Sequence, residues 1–503
     1  MSKPAELYAC FYAKEFPAQA LLRLRPELCE HACVVMGGDP PLEQVVSLNR
    51  KAKTMGVVRG MTRVEVDTFP DVTTLRRSLD EESCARAAVL ECAGGFTPRT
   101  EACDEAGALL CVLDIAGTER LFGPPAQLAR QLLAGVRGCG IAGPVAVSRN
   151  FHAAVALAKG MSTADAVQVV PEGKEASALA PLPLAVLELA PEQAESFALW
   201  GIRTLGDLAA LPEDQLIARM GQTGKRLRLL ACGAAPHLFQ PMEPVFCLEE
   251  RMELDSPVEV LDALLFAMNV MLGQLIQRAA ARVLALASVT VMLALEGEAT
   301  HTRAVRPALP SNDRQMWLKL IQLDLEAHPP QAAILGLTIA AEPGGTSKVQ
   351  LGLFSPQLPE PSRLDVMLAR IRAIVGEDCV GAPALNDTHR PQDFGMKPFV
   401  VTSSGLAAQA SPARSALRVL RPAEEISVTI EQRRLARFFF RGQSYKVERA
   451  YGPWLTSGDW WAPTLWNQEQ WDLVARSPEG NLLCCSMMCD PATQSWKVTA
   501  LYD

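Results

Sequence analysis

Basic charge is in deficit in this chain: 48 Lys and Arg stand against 56 Asp and Glu, a formal net charge of −8. A protein whose main work is to grip nucleic acid non-specifically is usually basic, so any such contact here must be local or assisted by a partner. Long apolar runs are also missing. The longest, residues 283–295, is interrupted by Ser288 and Thr290 and falls short of the roughly 20 residues that cross a bilayer. The opening Met1-Ser2-Lys3-Pro4-Ala5-Glu6 has an acid and a proline where a signal peptide has its apolar segment. These features point to a cytoplasmic protein. The 14 cysteines are spread over 503 residues, which does not suggest a disulfide scaffold. Cys29-Glu30-His31-Ala32-Cys33, and Cys484-Cys485 with Cys489, both lack the second ligand pair of a zinc site. They read as inert, buried thiols.

What is present is ordinary globular material: 49% hydrophobic and 21% charged residues. At about 100–200 residues per domain, the length predicts roughly three to five domains. Up to about residue 165, apolar strands (5–11, 31–36, 108–115 and one opening at Pro144) alternate with helical periodicity (17–24, 75–93, 126–136 and a stretch to Lys159). Residues 45–49 and 63–69 flank a glycine-bearing turn. This alternation indicates an α/β or α+β domain. Residues 181–232 read as all-helical, with turns at Gly201, Gly221 and Gly224. The pattern then changes to strand, helix (257–281), strand (283–295), strand (300–306), helix (312–327) and strand (332–341), a β-α-β-β-α-β unit. Segments 344–361 and 400–412 are rich in small and polar residues and read as linkers. Residues 415–503 hold six of the eight tryptophans and read as a small β-rich domain.

Four segments, in order, resemble the Y-family DNA polymerases. Val45-Val46-Ser47-Leu48-Asn49-Arg50-Lys51-Ala52-Lys53-Thr54-Met55-Gly56-Val57, with Gly60-Met61, is similar to the fingers segment. Leu113-Asp114-Ile115-Ala116-Gly117-Thr118 is similar to the end of the second catalytic strand. Trp200-Gly201-Ile202-Arg203-Thr204-Leu205-Gly206-Asp207-Leu208, continuing to Gly224, resembles a helix-hairpin-helix thumb, and the β-α-β-β-α-β unit resembles the little finger. In the tail, Ala416-Leu417-Arg418-Val419-Leu420-Arg421-Pro422 and Gly452-Pro453-Trp454-Leu455-Thr456-Ser457-Gly458-Asp459-Trp460-Trp461 resemble the C-terminal region of the ImuB family, the catalytically inactive Y-family homologues of bacterial mutagenic repair. The resemblance implies a multidomain α+β chain: palm and fingers at 1–165 (fingers about 26–76), thumb at 166–242, little finger at 243–345, a linker with a clamp-binding peptide and short helix at 346–414, and a partner-binding β-rich domain at 415–503.

The same resemblance shows what is missing. Polymerases hold two Mg²⁺ ions with converging carboxylates, because Mg²⁺ demands hard oxygen ligands. Matched on the aromatic pair Phe11-Tyr12 and Ala13, the family's first acidic positions fall on Leu7 and Ala9, and its second pair on Leu109 and Leu110. None of the four can bind a metal, so the resemblance implies no catalytic residue, no metal and no cofactor. Cys103-Asp104-Glu105-Ala106 imitates the acidic signature. It stands five residues too far upstream, about 16 Å of extended chain, and residues 104–107 read better as a hairpin turn. The nucleotide-binding positions of the fingers fall on Arg50 and Lys53, and the lysines expected after the Pro144 strand fall on Phe151 and Val155.

Two binding features survive. Gly221, Gly224, Lys225 and Arg226 suit weak, local contact with a DNA backbone at a helix N-terminus. Gln350-Leu351-Gly352-Leu353-Phe354 resembles the peptide by which bacterial polymerases dock on the sliding clamp, with Leu353 and Phe354 as apolar anchors, Leu351 adding area and Gln350 bonding at the rim. The ImuB resemblance further implies two partners, an error-prone DnaE-type polymerase and the RecA-like ImuA. The expected function is thus a non-catalytic adaptor in translesion synthesis. Its rivals are an active polymerase using Asp104, Glu105 or Asp114, and a DNA-binding module without a clamp role.

Overall fold

The computed structural model describes residues 6–105, 107–163, 166–242, 246–307, 309–345, 361–376, 379–388, 393–397, 417–458 and 466–502. The chain divides into one unit up to Ile374 and another from Val375.

The first unit opens on β1 (Tyr8–Lys14), α1 (Phe16–Leu22), β2 (Ala32–Gly37), β3 (Gln44–Leu48), α2 (Arg50–Thr54), α3 (Arg63–Val66), β4 (Val72–Arg76) and α4 (Leu79–Gly94). It continues with β5 (Thr100–Glu105), β6 (Ala108–Asp114), α5 (Glu119–Phe122), α6 (Pro125–Gly138), β7 (Val145–Ser148), α7 (Phe151–Gly160) and β8 (Val167–Val169). Five of these strands form a sheet in the order β5-β6-β1-β7-β8, and β3-β2-β4 form a small separate sheet. β5 and β6 pair as a hairpin, with Glu105 opposite Ala108 and Gly107 at φ 74°. Both faces of the large sheet are covered. Ala9, Phe11, Ala13, Leu109, Cys111 and Leu113 pack against α1, α4 and α6. Tyr8, Cys10, Leu110 and Val112 pack against α7 and the helices that follow. A sheet buried on both sides explains why its strands read as unbroken apolar runs.

Those helices are α8 (Glu175–Leu179), α9 (Pro191–Leu199), α10 (Leu205–Ala210) and α11 (Glu213–Ala231). Thr204 caps α10 through its hydroxyl, and Asp207 reaches back to the Thr204 N–H, satisfying otherwise orphaned donors. Next come β9 (Leu248–Val258), α12 (Leu261–Ala281), β10 (Leu284–Leu295), β11 (Thr300–Val305), α13 (Arg314–Ala327) and β12 (Ile334–Gly345), the β-α-β-β-α-β order read from the sequence, with sheet order β11-β10-β12-β9. By length and composition α12 could cross a membrane. Instead its Met268, Met271, Leu272 and Leu275 are fully buried with Trp317 of α13 against the sheet.

This four-stranded domain is fastened to the back of the first sheet by buried charge. Arg278 of α12 donates to both oxygens of Glu91 on α4 (2.7 and 2.9 Å) and to Glu250 on β9 (2.8 Å). Arg23, just after α1, pairs with the other oxygen of Glu250. Arg25 grips Glu81 at 2.6 and 2.9 Å and the Glu253 carbonyl at 2.6 Å. The Arg23 and Glu250 side chains are both 0% exposed. Burial works against the Arg278 charge, yet Glu91 and Glu250 hold its pKa above the usual arginine value.

After α14 (Pro361–Val375), the second unit begins with a hairpin of β13 (Ala382–Leu385) and β14 (Phe394–Lys397). It lies where the sequence reads as linker. A closed barrel follows, built from β15 (Leu417–Glu431), β16 (Arg434–Phe440), β17 (Gln443–Gly458), β18 (Trp466–Arg476), β19 (Leu482–Asp490) and β20 (Ser495–Tyr502). Closure removes the exposed edges that invite aggregation. Its interior holds Leu420, Phe438, Phe440, Leu473, Cys485, Met487 and Val498.

Candidate functional site

The end of the large sheet that carries the β5–β6 hairpin is where the sequence expectations can be tested by register. β1 and β6 run antiparallel, with Tyr12 opposite Leu110, Ala13 opposite Leu109 and Lys14 opposite Ala108. Ala9 stands opposite Leu113, and the Leu7 carbonyl accepts from the Ile115 N–H (2.8 Å). The four expected positions therefore do not converge: Leu7 and Ala9 lie at one end of the ladder, Leu109 and Leu110 at the other. Five strand residues separate Leu7 from Tyr12, about 16 Å. The correction follows from a second aromatic–x–Ala triplet, Phe16-Pro17-Ala18, five residues after Phe11-Tyr12-Ala13. Matching on it moves the first two positions to Tyr12 and Lys14, the residues that the ladder places beside Leu109 and Leu110. Neither is acidic. Leu109 is fully buried and Leu110 nearly so.

At this end of the sheet sits a cluster that sequence reasoning missed. The Lys159 ammonium, in the last turn of α7, lies 2.5 Å from Glu105 Oε1 and 3.0 Å from Glu188 Oε1. The Lys159 and Glu105 side chains are only 10% and 17% exposed. Burial opposes the ammonium, but the two carboxylates outweigh it and raise its pKa above the usual lysine value. Burial also pushes Glu105 above the ordinary carboxylate range, against the pull of Lys159. The Tyr12 phenol is raised by burial and then by the charge of Glu105, so it stays neutral at pH 7. An internal cation thus occupies the space between two carboxylates. A divalent ion there would have to displace the ammonium or endure its repulsion. Among the described residues no group of three or more His, Cys, Asp or Glu is arranged to hold a metal. Asp114 lies at the far end of β6 and is engaged by Arg99 (3.1 Å) and by the Ala116 N–H (3.1 Å).

The signal for this cluster was weak because its members come from three separate segments. The one legible hint was the hairpin at 104–107, which fixes Glu105 near the strand end.

Around the cluster, Glu15 joins the two sheets of the first domain. Its carboxylate accepts from Ser47 Oγ (2.9 Å), the Leu48 N–H (3.2 Å) and Arg59 (Nη2 at 2.7 Å). These bonds fix a residue held at φ 55°. Arg50 and Lys53 lie exposed on α2, whose N-terminus Asn49 caps. Phe151 is buried and stacks on His237 at 3.5 Å between ring centroids.

In the helical region, Gly221 takes φ 62° and ψ −148°, breaking α11 in two. That conformation is open to glycine and costly for other residues. A Cβ on Gly224 would fall 2.8 Å from the Leu216 carbonyl oxygen, so Gly224 permits close packing of the two halves. Lys225 and Arg228 are both drawn to Glu213 at 3.2 Å, while Arg226 is exposed and makes no ion pair with a described residue. Of the expected backbone-binding residues, Gly221 and Arg226 are open to solvent; Lys225 is partly neutralised. The peptide Gln350, Leu351, Leu353 and Phe354 lies outside the described residues, as do Trp460 and Trp461.

Residues 11–159 match the impB/mucB/samB family. Protein ImuB of Caulobacter vibrioides is 24% identical over 417 residues, covering 81% of this chain and 89% of that protein. DNA polymerase IV of Dehalococcoides mccartyi is 29% identical over 218 residues, 42% of this chain and 54% of that one. An insertion ternary complex of Dbh DNA polymerase aligns with a TM-score of 0.41 and 15% identity, over 67% of this chain and 98% of that one. On these sequence likenesses, and with the strand and helix order set out above, the chain is an ImuB-like protein carrying a Y-family polymerase-like domain.

Proposed function

We propose that this chain is a non-catalytic adaptor of translesion DNA synthesis, acting in the cytoplasm in damage-induced (SOS) mutagenesis. It docks on the sliding clamp and brings an error-prone DnaE-type polymerase and a RecA-like ImuA to damaged DNA. One observation carries the reading. Where β1 meets β6, the residues side by side are Tyr12, Ala13 and Lys14 against Ala108, Leu109 and Leu110, and the nearby carboxylates are bridged by Lys159. Phosphoryl transfer by this fold needs metals that stabilise the attacking and leaving oxygens; hydrocarbon and an ammonium cannot hold them. The rival, an active polymerase using Asp104, Glu105 or Asp114, would draw on acids at opposite ends of the sheet: Glu105 stands opposite Ala108, and six strand residues, about 20 Å, separate Ala108 from Asp114.

With chemistry removed, recruitment remains. Gln350, Leu351, Leu353 and Phe354 supply the clamp contact, and the barrel and its aromatics supply surface for the protein partners. Weak DNA contact falls to Gly221, Lys225 and Arg226, with buried Gly224 letting the two halves of α11 pack beside them. The test is clamp affinity of the full chain with Gln350, Leu353 and Phe354 each replaced by alanine. The expected cost at Leu353 or Phe354 is about 2–4 kcal/mol, as interface anchors give. Unchanged affinity in all three variants removes the clamp assignment.

A further inference from the structure

The outer face of the barrel carries an arrangement that its stability does not need. β16 alternates, with Phe438 and Phe440 buried inside and Arg437 and Phe439 outside. Across the ladder Arg437 stands directly opposite Lys446 of β17, and Lys446 directly opposite Arg476 of β18. Three cations thus form a row over three neighbouring strands, about 10 Å long at the usual strand spacing. Like charges directly opposed destabilise a sheet. No described acid nearby is ion-paired to Arg437 or Lys446, and Glu448 acts on Lys446 only through space while bonded to Arg476. Glu448 is bound to Arg476 at 2.7 Å, Glu425 to Lys497 at 3.2 Å and Glu424 to Arg441. Neither Arg437 nor Lys446 makes an ion pair with a described residue, and Glu431 is placed by register opposite Arg434 instead.

Beside this row the Phe439 ring is 52% exposed. Its cross-strand partners are Ser427 and Ser444, small side chains that leave both flanks of the ring open to a flat group. An exposed ring beside two cations that have no ion-pair partner among the described residues matches how single strands are held: bases stack on the aromatic while lysine and arginine follow the phosphates. Duplex DNA would use the charges but not the ring, because its bases are already stacked. An acidic protein segment would likewise have no use for a bare ring between two serines.

We propose that the β15–β16–β17 face of the barrel binds single-stranded nucleic acid, stacking a base on Phe439 and pairing phosphates with Arg437 and Lys446. This goes beyond the adaptor reading and needs no clamp contact. The test is fluorescence anisotropy of the full chain with a labelled oligothymidylate of about 12 nucleotides, within the usual range of site sizes. Phe439→Ala should weaken binding about tenfold, while Phe439→Tyr, which keeps the ring, stays near wild type. Arg437→Ala with Lys446→Ala should lower the salt slope by about 1.4, from two single-strand phosphate contacts. Unchanged affinity and slope in all variants overturns the proposal. So does a charge effect without a ring effect, in which poly-glutamate displaces the oligonucleotide equally well from wild type and Phe439→Ala; the face would then be a general polyanion surface.

Discussion

Glu250→Ala should be among the most damaging single substitutions in the first unit. The carboxylate is fully buried and serves two arginines. Its removal leaves Arg278 with Glu91 as its one carboxylate partner among the described residues, beside the Cys247 and Glu249 carbonyls, and leaves Arg23 with none; Arg23 Nε and Nη1 are already without a hydrogen-bond partner among the described residues. Leaving a buried charge unpaired costs about 3–5 kcal/mol. If that is the cause, removing Arg23 as well should recover most of the loss: Arg23→Met with Glu250→Gln should lie within about 1–2 kcal/mol of wild type, because an uncharged pair of similar volume needs no compensation. Urea unfolding of a two-unit chain need not be two-state. Hydrogen exchange is therefore the better assay, read in peptides of β9 and α12 with the barrel strands as internal reference. Protection should fall in β9 and α12 and stay constant in β15–β20. A cost under about 1 kcal/mol for Glu250→Ala, or no recovery in the double variant, would refute this account of how the four-stranded domain is held.

Lys159→Met should destabilise the first unit by about 2 kcal/mol by leaving Glu105 partly buried beside Glu188, and Glu105→Gln in the same chain should restore it, both read by hydrogen exchange of α7. Because the folded pKa of Lys159 is raised, its contribution is complete below the ordinary lysine value near 10.4 and is lost as pH rises through the higher folded value. Wild-type stability should therefore fall in that alkaline window more steeply than that of Lys159→Met. Gly221→Ala should cost about 1–3 kcal/mol through backbone strain alone, since a Cβ there meets open space; loss of protection confined to α11 would show it.

How much of this was legible in the sequence depended on whether a segment has one wet face. The β-α-β-β-α-β domain was readable to within a few residues, because its strands and helices carry clear periodicity; β11 alternates between exposed and half-buried along its whole length. The β5–β6 turn and the break at Gly221 were readable from glycine placement. The phase of β1 was not. Its residues are buried on both faces of the sheet, so the apolar run has no alternation to fix its start or its register. A strand placed three residues early, together with a match on the first of two aromatic triplets, put Leu7 and Ala9 where Tyr12 and Lys14 belong. The helix expected from residue 75 likewise begins later, because β4 runs to Arg76 and Ser78 caps α4. The cluster of Lys159, Glu105 and Glu188 exists only through tertiary packing, which no local pattern reports.

Single-turnover nucleotide incorporation on a primed template, with excess protein and either Mg²⁺ or Mn²⁺, tests the central claim most directly. The account predicts no extension above a protein-free control, with or without a lesion, for wild type and for Glu105→Gln alike. Metal-dependent extension by the wild-type chain that Glu105→Gln abolishes would show carboxylates working at the β1–β6 sheet end and would contradict it.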